Sequence, residues 1–337
     1  MHHAIALATS LNCPLIAMCS GDKTSTDAVS MLAVERKVEV LAVDVDSLPA
    51  GLLPRFKTSA LLARTKFDWH SDISRKRNLG LVIAQVAGWE RIVFLDDDIE
   101  VPDPADLRRA AALTDNYAAA GLSIGGYPDN SVVCRAYREA EGAQEAFVGG
   151  GALAVHTKSR SSFFPDIYNE DWFFLLGDKK LRPTAVIGAA FQTASDPFEF
   201  DERARLEEFG DVLAEGLFWL LDDKRSLTDA DTAYWSRYLL KRSNFILETM
   251  EMVRRFEDDA ERKAKKLSSL TAALERSKLI SPERCENYLQ AWRTDRSTWR
   301  RHLGTLQPNR KRHRCKDDLR AVVTDLGLGL CSRYLRR

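Results

Sequence analysis

The sequence has no C-x-x-C pair and no zinc-type spacing. Its six cysteines, Cys13, Cys19, Cys134, Cys285, Cys315 and Cys331, are scattered; the pattern excludes a small disulfide scaffold and reads as reduced thiols of a cytosolic protein. No apolar stretch approaches the roughly 20 residues needed to span a bilayer, and the start has no charged-then-apolar signal region. Net charge is missing as well: 49 Lys and Arg balance 49 Asp and Glu, so nothing pulls the whole chain toward nucleic acid. No internal repeat is visible. These absences leave a cytoplasmic, soluble globular protein, and 337 residues suit one large α/β unit plus a smaller one.

What is present centres on Arg91 to Glu100. Ile92, Val93, Phe94 and Leu95 form a short apolar run that predicts a strand covered on both faces in a parallel sheet. The run stops at three carboxylates. Side chains alternate along a strand, so Asp96 and Asp98 face one side and Asp97 the other. Ligands of open α/β sheets bind at such strand ends. Adjacent carboxylates repel one another, and oxygen-only ligands select a hard ion, Mg2+ or Mn2+. The competing account is a solvated turn capping the strand.

Around this stretch, strands alternate with helices, which predicts a mostly parallel sheet built from βαβ units. His3–Asn12 reads as a helix, Pro14–Cys19 as a strand, the chain to about Arg36 as a helix and Val38–Val45 as a second strand. Residues 50–70 read as a loop or short irregular helix. A helix then starts at Ser71 or Asp72, carries Leu79, Val82, Ile83 and Val86 on one face, and ends at Gly88. Its first turn holds Arg75, Lys76 and Arg77, where the helix dipole disfavours cations; they form either a solvated face or, with the helix N-terminus, an anion cradle. Ala105–Ala112 follows as a helix, and Gly121–Asn130 as a strand and turn. Within Phe147–Val155, Gly149, Gly150 and Gly151 cost backbone entropy, which signals a close approach by a ligand or another backbone, or else a bulge. Glu170 and Asp171 open an aromatic helix; they either cap it or supply a partly desolvated general base.

The order Lys76-Arg77-Asn78-x-Gly80, Asp96-Asp97-Asp98, Gly149-Gly150-Gly151 and Glu170-Asp171 resembles the GT-A glycosyltransferases, family 2 in particular, over about residues 10 to 200. The resemblance implies a Rossmann-like sheet flanked by helices and transfer of a sugar from a nucleoside diphosphate sugar to a hydroxyl. It implies Asp98 as metal ligand and Asp96 as a contact to the donor ribose or the metal. Lys76, Arg77 and Asn78 fall on the donor side, with the glycine segment as the floor beneath the sugar. Asp171 is the implied catalytic base with Glu170 beside it, and the displacement is inverting. The Gln-x-x-Arg-Trp motif of processive members is absent, which implies a non-processive enzyme; no downstream histidine is assigned to the metal. If His3–Asn12 is the family's first helix, its first strand is missing and the natural start is expected upstream of Met1. The alternative makes Ala4–Ser10 that strand. Two other readings are a sugar-nucleotide pyrophosphorylase, which would want a glycine-rich basic loop near the start, and a non-catalytic scaffold of the same fold.

Ala185–Thr193 reads as a further strand. From Asp201 onward the pattern becomes helical: Arg203–Leu221, Thr232–Arg262, Glu261–Arg276 and Pro282–Trp299. This sets residues 1–225 as the α/β domain and 226–337 as a helical region. The acids of Arg203–Leu221 read as a solvated face, and Trp219 and Trp235 as core. Residues 293–316 hold nine cations (Arg293, Arg296, Arg300, Arg301, Arg310, Lys311, Arg312, Arg314 and Lys316) with Trp292 and Trp299 interleaved. The block reads as a solvated or internally paired face; as a contact surface it suits an anionic or membrane-associated acceptor, with peripheral placement at a membrane, ahead of nucleic acid, for which no motif is present.

Overall fold

The computed structural model describes residues 1–21, 24–125, 131–143, 148–157, 162–193, 196–306 and 318–336. The turn expected at 126–130, Phe147, and Arg310, Lys311, Arg312, Arg314 and Lys316 of the basic block lie outside the described residues.

The chain opens with helix α1 (His2–Leu11), so Ala4–Ser10 is not a strand. β1 (Leu15–Cys19), α2 (Thr26–Arg36) and β2 (Val40–Asp44) form a βαβ unit with parallel strands, Ala17 opposite Ala42. Ser25 caps α2 by accepting the Ala28 N–H at 3.1 Å. After α3 (Lys57–Leu62), α4 (Ile73–Ala87) ends at Gly88, whose φ of 73° is the left-handed stop the sequence predicts. It delivers the chain to β3 (Arg91–Leu95). Then come β4 (Ile99–Glu100), α5 (Pro104–Leu113), β5 (Ala119–Gly125), α6 (Val132–Glu139), β6 (Ala152–His156), α7 (Glu170–Leu175) and β7 (Thr184–Gln192). The C-terminal part holds α8 (Asp201–Asp222), α9 (Thr232–Phe256), α10 (Ala260–Ser277), α11 (Pro282–Thr305), α12 (Leu319–Asp325) and β8 (Ser332–Leu335).

The fold is α/β with a helical C-terminal region. Its sheets are mixed, which corrects the mostly parallel sheet the alternation predicts. One sheet runs β1-β2-β8 and the other β3-β6-β5-β7-β4. Only β1–β2 and β5–β7 pair in parallel among the described strands; β2–β8, β3–β6, β5–β6 and β4–β7 are antiparallel. An apolar run encodes burial but not direction, so Ala152–His156 reads equally well either way. β3 is corrected too: all five of its residues are half-buried, because it pairs with β6 along one edge and with no other described strand.

α4 is the element that sets the site. From Arg77 to Ala87 it is buried throughout, so it is a central helix rather than an amphipathic surface one. It packs tightly on β3 at Gly80, where a Cβ would lie 3.1 Å from the Phe94 ring and 3.3 Å from Ile92 Cδ1. That contact gives the glycine of Asn-x-Gly a packing cause of its own.

The C-terminal helices do not stand apart from this layer. One continuous core joins Leu41 and Val43 to α4, α7, α8, α11 and Cys331, and it crosses the boundary expected at 225/226. Trp292 and Trp299 lie inside it at 0 % exposure, so they are core and not membrane-facing rings. Asp295 ties α11 to the start of α3 by accepting from the backbone N–H groups of Lys57 at 2.9 Å and Thr58 at 2.8 Å. Trp235 is buried as predicted, whereas Trp219 is 45 % exposed beneath Lys241. The long helix predicted to Arg262 breaks at 257–259, where Asp259 accepts the Arg262 N–H at 2.8 Å and starts α10. Among the described residues, no helix is long and apolar enough to cross a membrane.

Candidate functional site

Four separated stretches meet at the carboxyl end of β3. Arg77 comes from the first turns of α4, Asp96 from the strand end, Gly150 and Gly151 from the approach to β6, and Glu170 and Asp171 from the first turn of α7. The Asp96 N–H donates to the Gly151 carbonyl at 2.9 Å and closes the β3–β6 end. Arg77 lies at the centre, 5 % exposed. Its Nη2 donates to both oxygens of Asp96, at 3.1 and 3.0 Å, and its Nη1 donates to Glu170. The planar fork of arginine is what allows one side chain to serve two carboxylates.

Asp171 is held differently. One oxygen accepts the Gly150 N–H at 2.6 Å and the other the Trp172 N–H at 2.8 Å. Gly150 is required by close approach, but the neighbour is Arg77 and not a ligand. A Cβ there would sit 2.3 Å from Arg77 Nη1. Gly150→Ala should therefore displace the guanidinium and cost about 1–3 kcal/mol, read as a lowered midpoint in urea denaturation; an unchanged midpoint would refute this packing.

Asn78 does not reach the open side. Its amide donates to the Phe164 carbonyl at 2.7 Å and accepts the Phe164 N–H at 2.9 Å, pinning α4 to the segment ahead of α7. Both polar atoms of Asn78, to which the resemblance assigns a donor contact, are engaged in this backbone pin. Lys76 stays at the open start of α4, paired with Asp72 at 2.9 Å, and Arg75 lies 3.7 Å from Asp46. All three first-turn cations thus have an acid of the chain beside them, so the anion cradle is internally neutralised. No family model matches this sequence, and no curated protein matches it.

Electrostatically, the cluster is a balance of burial against one cation. Burial pushes the Glu170 carboxyl up to about 8, with Arg77 opposing and Asp171 adding to the rise. Asp171 is raised by burial as well, again against Arg77 and against its two backbone donors. Burial works against the charge on Arg77, but Glu170, Asp96 and Asp171 outweigh it and hold the guanidinium protonated. The raised proton affinity is the property a general base at neutral pH requires.

Asp98 stands apart from this cluster, toward β7. Its Oδ2 accepts from Gln192 Nε2 at 2.8 Å, and its carbonyl accepts the Thr193 N–H at 3.0 Å. Gln192 Oε1 is buried with no described partner. An unsatisfied oxygen beside a half-buried carboxylate suits a hard divalent ion that draws its remaining ligands from phosphate and water. Among the described residues no group of three His, Cys, Asp or Glu could hold a metal alone. Asp96 accepts from Arg77 through both oxygens and stays half-buried. Nothing in the sequence near Asp98 marks Gln192 as its neighbour, since only the β4–β7 register, Ile99 opposite Gln192, brings them together.

Proposed function

We propose that this chain is a GT-A-like glycosyltransferase that moves a sugar from a nucleoside diphosphate sugar to an acceptor hydroxyl, with a divalent cation and with inversion. The observation that carries the reading is the convergence of Asp96, Gly151, Glu170 and Asp171 at one strand end, with Asp98 beside it on the β7 side. Asp98, with Gln192, would hold Mn2+ or Mg2+, which when bound offsets the diphosphate charge and stabilises the leaving group. Asp171 takes the acceptor proton. Its two oxygens each use one lone pair on a backbone N–H and retain a second. Arg77 pairs with Glu170 and Asp96 and makes no hydrogen bond to Asp171, the proton-accepting group, among the described residues. Lys76 lies on the donor side at the open start of α4. The exposed Arg293, Arg300 and Arg301 on α11 support an acceptor that carries negative charge.

Calorimetric titration with UDP, GDP and their sugars, with and without Mn2+, tests the reading on the wild-type chain and on Asp98→Ala. The expected result is metal-dependent binding of one nucleotide that weakens about 10- to 100-fold in the variant. Identical metal-dependent binding by both proteins would remove Asp98 from the metal. The internal pairing of Arg77 with Asp96 and Glu170 favours a second reading, a non-catalytic scaffold in which the acids only fasten loops. Absence of binding to every nucleotide would select it.

A further inference from the structure

The sequence reads the acids of α8 as a solvated face, and the structure reverses this. Glu207, Glu208 and Asp211 are 3 %, 0 % and 1 % exposed. Asp211 reaches two elements at once. Its Oδ2 accepts from Ser131 Oγ at 2.6 Å, at the start of α6, and from Arg242 Nη2 at 3.0 Å. Its Oδ1 accepts from Asn169 Nδ2 at 2.8 Å. Asn169 is the residue immediately before Glu170 and Asp171.

Asn169 is used in an unusual way. It is the N-cap of α7, where an asparagine ordinarily turns its side chain onto the first N–H groups of its own helix. Here it makes no such bond and sits in the left-handed region, φ 63° and ψ 35°, with its amide directed to α8. One residue earlier the backbones of the two elements touch. A Cβ on Gly210 would come within 2.3 Å of the Tyr168 carbonyl oxygen. Two consecutive residues of α8, Gly210 and Asp211, therefore hold two consecutive residues of the approach to α7. A six-residue helix has little stability of its own, so the direction of its first turn must be imposed from outside.

We propose that Asp211, acting through Asn169, is a positioning residue for the Glu170–Asp171 pair. It fixes the first turn of α7 so that Glu170 meets Arg77 and Asp171 meets the Gly150 N–H. This rests on the reading of Glu170 and Asp171 as the reacting acids. Arg242 opposes the rise that burial imposes on the Asp211 carboxyl.

The test is Asn169→Gly, because glycine accepts the left-handed backbone without strain while the side chain and its amide are removed. Carboxylate-selective 13C NMR titration would follow Glu170 and Asp171, whose facing groups Arg77, Asp96 and the Gly150 N–H are unchanged in the variant. In parallel, hydrolysis of the UDP- and GDP-sugars would be measured with Mn2+, alongside calorimetric binding of UDP and GDP. Positioning predicts shifted titration of both carboxylates, nucleotide affinity within about twofold, and kcat lower by about 10- to 100-fold. Unchanged titration and unchanged kcat would overturn it, and so would loss of the folded state, which would make the link purely structural. If the wild-type protein hydrolyses none of the sugars, the titration alone decides. A shift there would keep the positioning while the donor reading fails, and wild-type curves would end both.

Discussion

Arg77→Leu is expected to destabilise the protein by about 3–5 kcal/mol at pH 8.5, because it removes the one cation among the described residues that contacts Asp96 and Glu170 and leaves Glu170 buried, and Asp96 half-buried, without a cation. The case differs from replacing a whole buried ion pair by apolar groups, which is often neutral. Here three carboxylates, those of Asp96, Glu170 and Asp171, face the vacated space. The loss should depend on pH in a defined direction. The Glu170 carboxyl lies near 8 in the folded chain, above its ordinary 4.5. A group whose folded affinity for protons is raised favours the folded state at low pH, and that contribution is lost as pH rises from the ordinary value through the raised one. Without Arg77 the carboxyl rises further, so the deficit of the variant should be small near pH 5 and largest above pH 8.

Arg77→Lys should recover only part of the loss. A lysine carries the charge but not the planar fork that spans both oxygens of Asp96 and reaches Glu170. Urea denaturation of wild type, Arg77→Leu and Arg77→Lys at pH 5.5 and 8.5 measures the series. Equal midpoints for wild type and Arg77→Leu at pH 8.5 would show that the acids are not held by this guanidinium, and the description of the site would have to be rebuilt around another cation.

The local signals of the sequence reached as far as local physics allows. The apolar run at 92–95, the glycine at 88 and the acids at 96–98 each state a strand, a helix end and a strand mouth, and those elements stand where they are predicted. What lies beyond is decided by partners far away in the chain. Ser332–Leu335 carries no mark of the residues it pairs with, yet Tyr334 stands opposite Leu41 and closes the first sheet. The glycines at 149–151 announce a close approach without naming the neighbour, and at Gly150 the neighbour is Arg77. Helical spacing places Glu207, Glu208, Asp211 and Glu215 along α8 but cannot tell water from protein. The arginine that decides it, Arg242, stands in another helix.

That arginine carries the second large expectation. Arg242 is 2 % exposed and donates to Glu208 through Nε at 3.0 Å and Nη2 at 2.8 Å, to Asp211 at 3.0 Å and to Glu215 at 2.8 Å. Even so paired, burial pushes Glu208 up to about 7 and Asp211 to about 6, with Arg242 opposing in both. Glu207, which leans on Arg203 instead, is raised by burial to about 8. All three favour the folded state below their ordinary carboxylate values and lose that contribution as pH rises through the 6–8 window. The wild-type protein should therefore melt at a higher temperature at pH 5 than at pH 8.5, by about 5 °C or more. Arg242→Met should cost about 3–5 kcal/mol at pH 8.5 and distinctly less at pH 5, where protonated Glu208 and Asp211 no longer need a cation. Thermal melts of both proteins across pH 5 to 9 test the two statements together. A wild-type melting temperature that rises with pH through this window would contradict the raised acids of α8, and a pH-independent deficit in the variant would show that Arg242 contributes packing and not charge balance.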